Sequence, residues 1–276
     1  MVPYYDGNGR LIRYEGLIED VTERKLAEEK IQTLNNELEQ KVLELTDVNK
    51  ELEAFNRSVS HDLQTPITII GGYARRLLKI CSDKIDTNEI DMLTTIQMSA
   101  QTIERLIKDL LAFSRSGRQE IKPTEINMEN IVRAVLDELK PMSEGRMIKF
   151  DIKALPSAFG DIGLMKQVLV NLLSNAIKFT QSKDPAFIEV GSKIKENENI
   201  YYVKDNGIGF DAQHIDKLFS PFSRLPEAKE FNGTGIGLSI VERIIKRHGG
   251  RIWAEGKVNE GAIFYFTLPN KNIEKS

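Results

Sequence analysis

The sequence predicts an α+β protein in two halves, a long helical half followed by an α/β sandwich. Three observations point there. Apolar residues recur at seven over the first quarter of the chain. Two more apolar-striped helical segments follow, separated by a short polar turn. After Gly117 the pattern switches to alternating short strands and helices, over a length of about 150 residues that suits one domain.

The elements follow in order. Asp6-Gly7-Asn8-Gly9 is a turn signal and Leu11 to Ile18 reads as a strand behind it. Twenty-odd residues cannot bury a core, so residues 1–21 read as the remnant of a larger strand-rich unit. Asp20 with Glu23 gives a capping-box-like helix start. Beyond it Ile31, Leu38, Leu45, Leu52 and Val59 recur at seven, with Leu34, Val48 and Phe55 in the companion register. Lys41 interrupts that second row beside Val42, and charges fill the other positions, as in a parallel coiled coil over residues 22–55.

The helix continues through Leu63, Ile67, Ile70, Ala74, Leu77 and Cys81 to a polar turn near Ser82–Asn88. A second helix carries Ile96, Ala100, Ile103, Ile107 and Leu110 and ends near Arg115 and Gly117. Two such helices form an antiparallel hairpin over residues 56–118, and pairing with a second copy into a four-helix bundle is the natural way to cover it. Residues 119–270 then offer a strand around Lys122–Asn127, a helix around Glu129–Lys140 and a strand around Ile148–Lys153. A helix near Ile162–Thr180 follows, then strands Phe187–Lys195 and Tyr201–Asp205. A helix from about Gly235 to His248 and two closing strands ending at Leu268 complete the domain, leaving 271–276 as a tail.

Composition narrows the function classes. The chain has 276 residues and a net charge of −3, with no clustering of lysine and arginine, so nucleic acid is not an expected partner. Its single cysteine, Cys81, permits no disulfide within one chain and suits a reducing compartment. No apolar run reaches the roughly 18–20 residues of a bilayer span, and the start has no signal-peptide pattern. The expectation is a cytoplasmic piece without membrane contact, which could belong to a longer protein with membrane or sensory parts.

Of three histidines, His61 lies in SHDLQTP. Val59 and Leu63 belong to the apolar stripe, so His61 sits about 200° round the helix from each and faces water. The four-residue step between them is a stutter, and Pro66 would clash with the carbonyl of Asp62 and bend the helix just beyond. A neutral imidazole is a competent nucleophile near pH 7, and the neighbouring Asp62 can fix its tautomer. Alone, a His-Asp pair on a helix is usually a solvated surface.

Later in the chain Asn171, Asn175 and Lys178 share one face of a helix, with Leu169, Leu173 and Ile177 opposite. Amides on such a face either pair with neighbouring loops or meet Mg²⁺ and phosphates. Asp205 ends a strand, where sites of α/β domains lie, and can accept a hydrogen bond from an exocyclic amine. Gly207 and Gly209 allow a tight turn after it. Gly233, Gly235 and Gly237 precede a helix whose backbone N–H groups can cradle phosphates. Each element alone is weak evidence.

Together, in this order, SHDLQTP, the asparagine helix, DNGIGF, FSPFSRL and GTGIGLSIV resemble a sensor histidine kinase of the PAS-linked kind. The second half resembles the Bergerat-fold ATPases, and YYDGNGRLIRYEGLIEDVTERKLAE resembles the end of a PAS sensor and its linker. The resemblance implies autophosphorylation of His61 by ATP, with Asp62 as helper base, then transfer to an aspartate of a response regulator receiver domain. It implies a homodimer through hairpin and coiled coil. Asn171 would hold Mg²⁺, Asn175 and Lys178 would meet phosphates, and Asp205 would read the adenine amine. Gly207 to Gly237 would bound a mobile lid, with Phe222 and Arg224 in its phenylalanine segment and Thr234 and Leu238 at its closing turn. Asp62 and Thr65, three apart on one face, imply a regulator phosphatase activity as well.

Gln64 departs from the basic residue common at that position, leaving nucleophile and base intact. His214 and His248 read as structural, and Trp253 as core. Two rivals exist. A gyrase-type ATPase would lack the upstream hairpin with its SHD, and a degenerate signalling scaffold would have lost one of the boxes.

Overall fold

The computed structural model describes residues 2–15, 20, 22–81, 86–116, 120–195, 198–228, 230–231 and 233–269. The chain divides into two compact units, Met1–Phe55 and Asn56–Ser276.

In the first unit β1 (Val2–Tyr5) and β2 (Leu11–Glu15) form an antiparallel hairpin. The expected turn is built by Asp6, whose Oδ1 accepts from the backbone N–H groups of Asn8 and Arg10. Gly9 takes the positive φ that closes it. The strand expected to reach Ile18 runs into residues 16–19, outside the described ones. The long helix α1 (Thr22–Cys81) begins where the cap was expected, with Asp20 Oδ1 accepting from Thr22 N at 2.9 Å. Ile31, Leu34, Leu38, Leu45, Val48, Leu52 and Phe55 are all exposed on this single chain. Ion pairs such as Lys41–Glu44 and Lys50–Asp47 are solvated and contribute little.

The second unit opens with the rest of α1, which runs through Pro66 without interruption. A second helix, α2 (Thr87–Ser116), starts with a reciprocal capping box. Asp86 Oδ1 accepts from Glu89 N, and Glu89 Oε2 accepts from Asp86 N. Among the described residues of the two helices, those buried are small or slim, Ser60, Gly71, Ala74, Ala100 and Ile107. A Cβ on Gly71 would lie 3.1 Å from that of Ala100, a tight contact that would push the two helices apart by a few tenths of an ångström. Thr68 Oγ1 donates to Glu104 at 2.8 Å and fixes the register. Larger stripe residues, Leu63, Ile70, Leu77, Ile96 and Ile103, stay exposed.

The sandwich follows: β3 (Thr124–Ile126), α3 (Met128–Leu139), β4 (Ile148–Ile152), β5 (Ala158–Gly160) and α4 (Ile162–Phe179). Then come β6 (Ala186–Lys195), β7 (Glu198–Asp205), α5 (Gly237–Arg247), β8 (Ile252–Lys257) and β9 (Gly261–Pro269). The main sheet has the order β4-β6-β7-β9-β8, with only the β4–β6 pair parallel. A small sheet pairs β3 with β5, a three-residue strand the sequence pattern did not announce. Asn127 caps α3 and Asp161 caps α4, each accepting from the N–H three residues on.

The core lies between the sheet and α3, α4 and α5. Strand alternation selects its residues: Ala186, Ile188 and Val190 of β6, Tyr201 and Val203 of β7, Phe264, Phe266 and Leu268 of β9. Val168, Leu169, Leu172 and Leu173 face them from α4. Truncating Leu172 to alanine removes about 2–5 kcal/mol of stability by transfer loss and cavity. Trp253 corrects an expectation. Its neighbour Ala254 points into the core, so Trp253 lies half-buried on the other face, stacked on Tyr265 at 5.2 Å. The alternation of β8 decides this, outweighing the hydrophobicity of the ring.

Candidate functional site: a nucleotide cavity and an exposed imidazole

Seen from α4, the site begins as the sequence expected. Leu169, Leu173 and Ile177 are buried in the core, which turns Asn171, Asn175 and Lys178 outward into a cavity of about 730 Å³. Asn171 Nδ2 donates to Gln167 O at 2.8 Å. Its Oδ1 faces the start of α5, where any Cβ on Gly237 would stand 2.6 Å away. Burial pulls the Lys178 ammonium down to about 8, aided by the charges of Arg224 and then Arg105. Lys178 Nζ also lies 4.2 Å from the ring centre of Phe179.

Asp205 reaches the cavity by strand arithmetic. It follows Tyr201 and Val203 at steps of two, so its carboxylate points to the core face at the strand's end. It is 5% exposed, and burial pushes its pKa up to about 6 against the lowering effect of the Gly207 and Ala262 N–H groups. Oδ1 accepts from Gly207 N at 2.8 Å. Gly207 does not line the cavity. Its role is the turn itself, since a Cβ there would meet the carbonyl of Phe179 and Oδ1 of Asp205. Gly209, at φ 61°, lines the cavity wall.

The opposite wall carries Gly233, Thr234, Gly235, Gly237 and Leu238, as expected, with Arg224 beside them. Gly235 has φ 75° and packs against the backbone of Phe222 and Ser223. Arg224 donates to the carbonyls of Ala228 and Phe231. Phe222 stands apart. At φ 61° and 57% exposure its side chain lies outside the cavity, and only its backbone supports the glycine turn. His214 sits 3.6 Å from Glu227. His248 has the structural role expected of it: Nδ1 donates to Ile244 O at 2.8 Å, and Nε2 accepts from Asp161 N at 3.1 Å.

His61, Asp62 and Thr65 are not in the cavity lining. The His61 side chain is 82% exposed, as its place on α1 requires, and Asp62 Oδ1 is 3.3 Å from its Nδ1. Thr65 is exposed nearby. Among the cavity residues that escaped the sequence reading are Arg105 and Asp109 of α2. Thr234 Oγ1 donates to Asp109 Oδ2 at 2.5 Å, and Arg243 Nη1 donates to Phe113 O at 3.0 Å while lying over the Phe113 ring. The register set by Thr68 and Glu104, carried two turns along each helix, puts His61 level with Leu111. The stretch of α2 against the sandwich is therefore level with His61.

Comparison with known proteins agrees on both halves. Residues 51–119 match the His Kinase A (phospho-acceptor) domain, and residues 160–272 match the histidine kinase-, DNA gyrase B- and HSP90-like ATPase domain. An adaptive-response sensory kinase SasA of Prochlorococcus marinus is 34% identical over 97% of this chain and 68% of its own. The chain belongs to the sensor histidine kinases. Cyanobacterial phytochrome A of a Nostoc species is 35% identical over 85% of this chain, which spans only 30% of the phytochrome's length. Among solved structures, full-length ShkA in complex with AMPPNP is 26% identical, with a TM-score of 0.58 over 78% of this chain and 45% of that one. These domains are those of a protein-histidine kinase with an ATP-binding half. Among the described residues no helix is long and apolar enough to cross a membrane.

Proposed function

We propose that this histidine kinase transfers the γ-phosphoryl group of ATP to Nε2 of its own His61. The observation that carries the reading is an exposed imidazole with a carboxylate at its Nδ1, level with a cavity floored by a buried carboxylate. With Asp62 accepting the Nδ1 proton, the Nε2 lone pair is free to attack. The N–P bond forms as the bond to ADP breaks, and the Nδ1 proton passes toward Asp62. Asp205 accepts from the adenine amine, and Asn175 and Lys178 meet the phosphates. Asn171, its amide nitrogen engaged by Gln167, offers Mg²⁺ a hard oxygen ligand, and the ion supplies charge neutralisation at the phosphate oxygens.

The phosphoryl group would pass next to an aspartate of a receiver domain. Asp62 and Thr65 on one exposed face would also serve its removal from that regulator. A second copy would cover the exposed stripes of α1 and α2 as coiled coil and four-helix bundle. Residues 1–21 fit the edge of a PAS-like sensor, with domain limits at 22–55, 56–118 and 119–270. The decisive test is incubation with γ-labelled ATP and Mg²⁺. Acid-labile, base-stable label on the wild type and none on His61→Gln supports the reading. Label that survives the substitution overturns it.

A further inference from the structure

The cavity is not built by the sandwich alone. Arg105 and Asp109 of α2 stand among its lining residues, one helical turn apart on the same face. Asp109 is engaged by Thr234, within the glycine turn, at 2.5 Å. That bond, with Arg243 on Phe113, holds the face of α2 against the cavity. Arg105 is different. No described residue forms a hydrogen bond or ion pair with its guanidinium, although it stands close enough to Lys178 to disfavour that ammonium. Arg224, the third cation at the cavity, is already donating to the carbonyls of Ala228 and Phe231.

Gathering unpaired positive charge against a buried lysine is unfavourable unless an anion comes between them. The carboxylates nearby do not fill that role. Asp109 is taken by Thr234, Glu227 accepts from Asp211 N and faces His214, and Glu230, also in the lining, is exposed and forms no ion pair among the described residues. Lys178 Nζ lies beside the Cα of Gly233, so the space shared by Arg105, Lys178 and the glycine turn is the phosphate end of the cavity. Asp205 marks the opposite, base-reading end.

We propose that Arg105 is a phosphate-binding residue of the nucleotide site, so that ATP is held jointly by the sandwich and by helix α2. The inference rests on the nucleotide reading of the cavity. It assigns the arginine to the terminal phosphates, where a planar fork of N–H donors can grip two oxygens at once. The hairpin that carries His61 thereby reports whether a triphosphate is present, through a stretch of α2 that begins about 9 Å along the helix from the level of the imidazole.

The test is calorimetric titration of the whole chain with a non-hydrolysable ATP analogue, ADP and adenosine. The proteins are wild type, Arg105→Ala, Arg105→Lys and Asp205→Asn. Arg105→Ala should weaken the triphosphate by about tenfold or more, ADP by less, and adenosine not at all, with Arg105→Lys, a point charge without the fork, recovering only part of the loss. Equal triphosphate affinity in wild type and Arg105→Ala, with all three ligands lost in Asp205→Asn, overturns the role of Arg105 and leaves the nucleotide cavity standing. Unchanged binding of all three ligands to Asp205→Asn overturns the cavity reading and the proposal with it. A lowered melting temperature of Arg105→Ala with equal loss of all three ligands would make the residue structural, and would also overturn it.

Discussion

Thr234 and Asp109 lie 125 residues apart in the chain and share a hydrogen bond of 2.5 Å that joins the glycine turn to helix α2. A hydroxyl donating to a carboxylate in a half-buried setting contributes about 1.5–3 kcal/mol. Thr234→Val keeps the shape and removes the donor, while Asp109→Ala removes the acceptor. A double-mutant cycle by urea unfolding should give a coupling of about 1–2 kcal/mol. Strictly additive losses would mean that the bond does not hold the two elements together.

Asp205, the proposed reader of the adenine amine, is kept buried at the expense of stability. Its folded pKa of about 6 lies above the ordinary 3.8, so its stabilising contribution is present in acid and is lost as pH rises through 6. At neutral pH the ionised, buried carboxylate destabilises the fold by on the order of 2–3 kcal/mol. Asp205→Asn should therefore unfold at higher urea than wild type near neutral pH, with the difference vanishing near pH 4. The same protein should fail to bind adenosine. A variant less stable than wild type at neutral pH would contradict the burial argument.

Nucleotide affinity should peak between the two titrations. Lys178 meets phosphate only as an ammonium, and in the free protein it loses its proton near 8. In the proposed site Asp205 is the stronger acceptor for the adenine amine as a carboxylate, and it protonates near 6. Triphosphate affinity should fall on both sides of this window, whereas adenosine affinity should fall only on the acid side. Titrations of both ligands across the range separate the two groups.

Asp62 is positioned to act on chemistry alone. It is exposed, outside the cavity, and beside Nδ1 of His61. Asp62→Asn should slow labelling of His61 by about a hundredfold or more, the usual effect of losing a general base, with nucleotide affinity unchanged. An equal fall in affinity would assign Asp62 to binding instead.

Gly235 holds φ 75°, and a Cβ there would stand 2.6 Å from Ser223 O. Gly235→Ala should strain the turn by about 1–2 kcal/mol and loosen the Phe222–Ser223 support beneath it. Triphosphate binding should suffer more than adenosine binding, a difference that the same titrations read.

Much of this was legible because it depends on local periodicity. Steps of two along Tyr201, Val203 and Asp205, and of three to four along Asn171, Asn175 and Lys178, fix which face each side chain takes. The capped start at Asp20 is equally local. What escaped depends on tertiary approach. Arg105 and Asp109 look like ordinary solvated charges on α2 until the sandwich is set beside them. Strand β5 is three residues long, too short to show a period, and exists through its pairing with β3. Hydrophobicity misplaces Trp253 where alternation with Ala254 decides. Phe222 lies in the expected segment, yet its positive φ turns the ring to solvent.

The contact between His248 and Asp161 has a mechanical consequence. Helix α4 leaves that contact and reaches Asn171 after about 15 Å, while α5 returns to it from Gly237 over a similar length. The two helices are the arms of a pair of tongs, with the imidazole as the fulcrum and with Asn171 and Gly237 as the jaws. At the jaws Asn171 Oδ1 already stands against Gly237, so a change of angle at the fulcrum would be felt first at that contact. Burial, the largest influence on His248, holds its pKa below the ordinary value and so favours the neutral ring, whose Nε2 can accept from Asp161. If the cavity takes a nucleotide as proposed, its geometry at Asn171 and Gly237 depends in part on a residue at the far end of both helices.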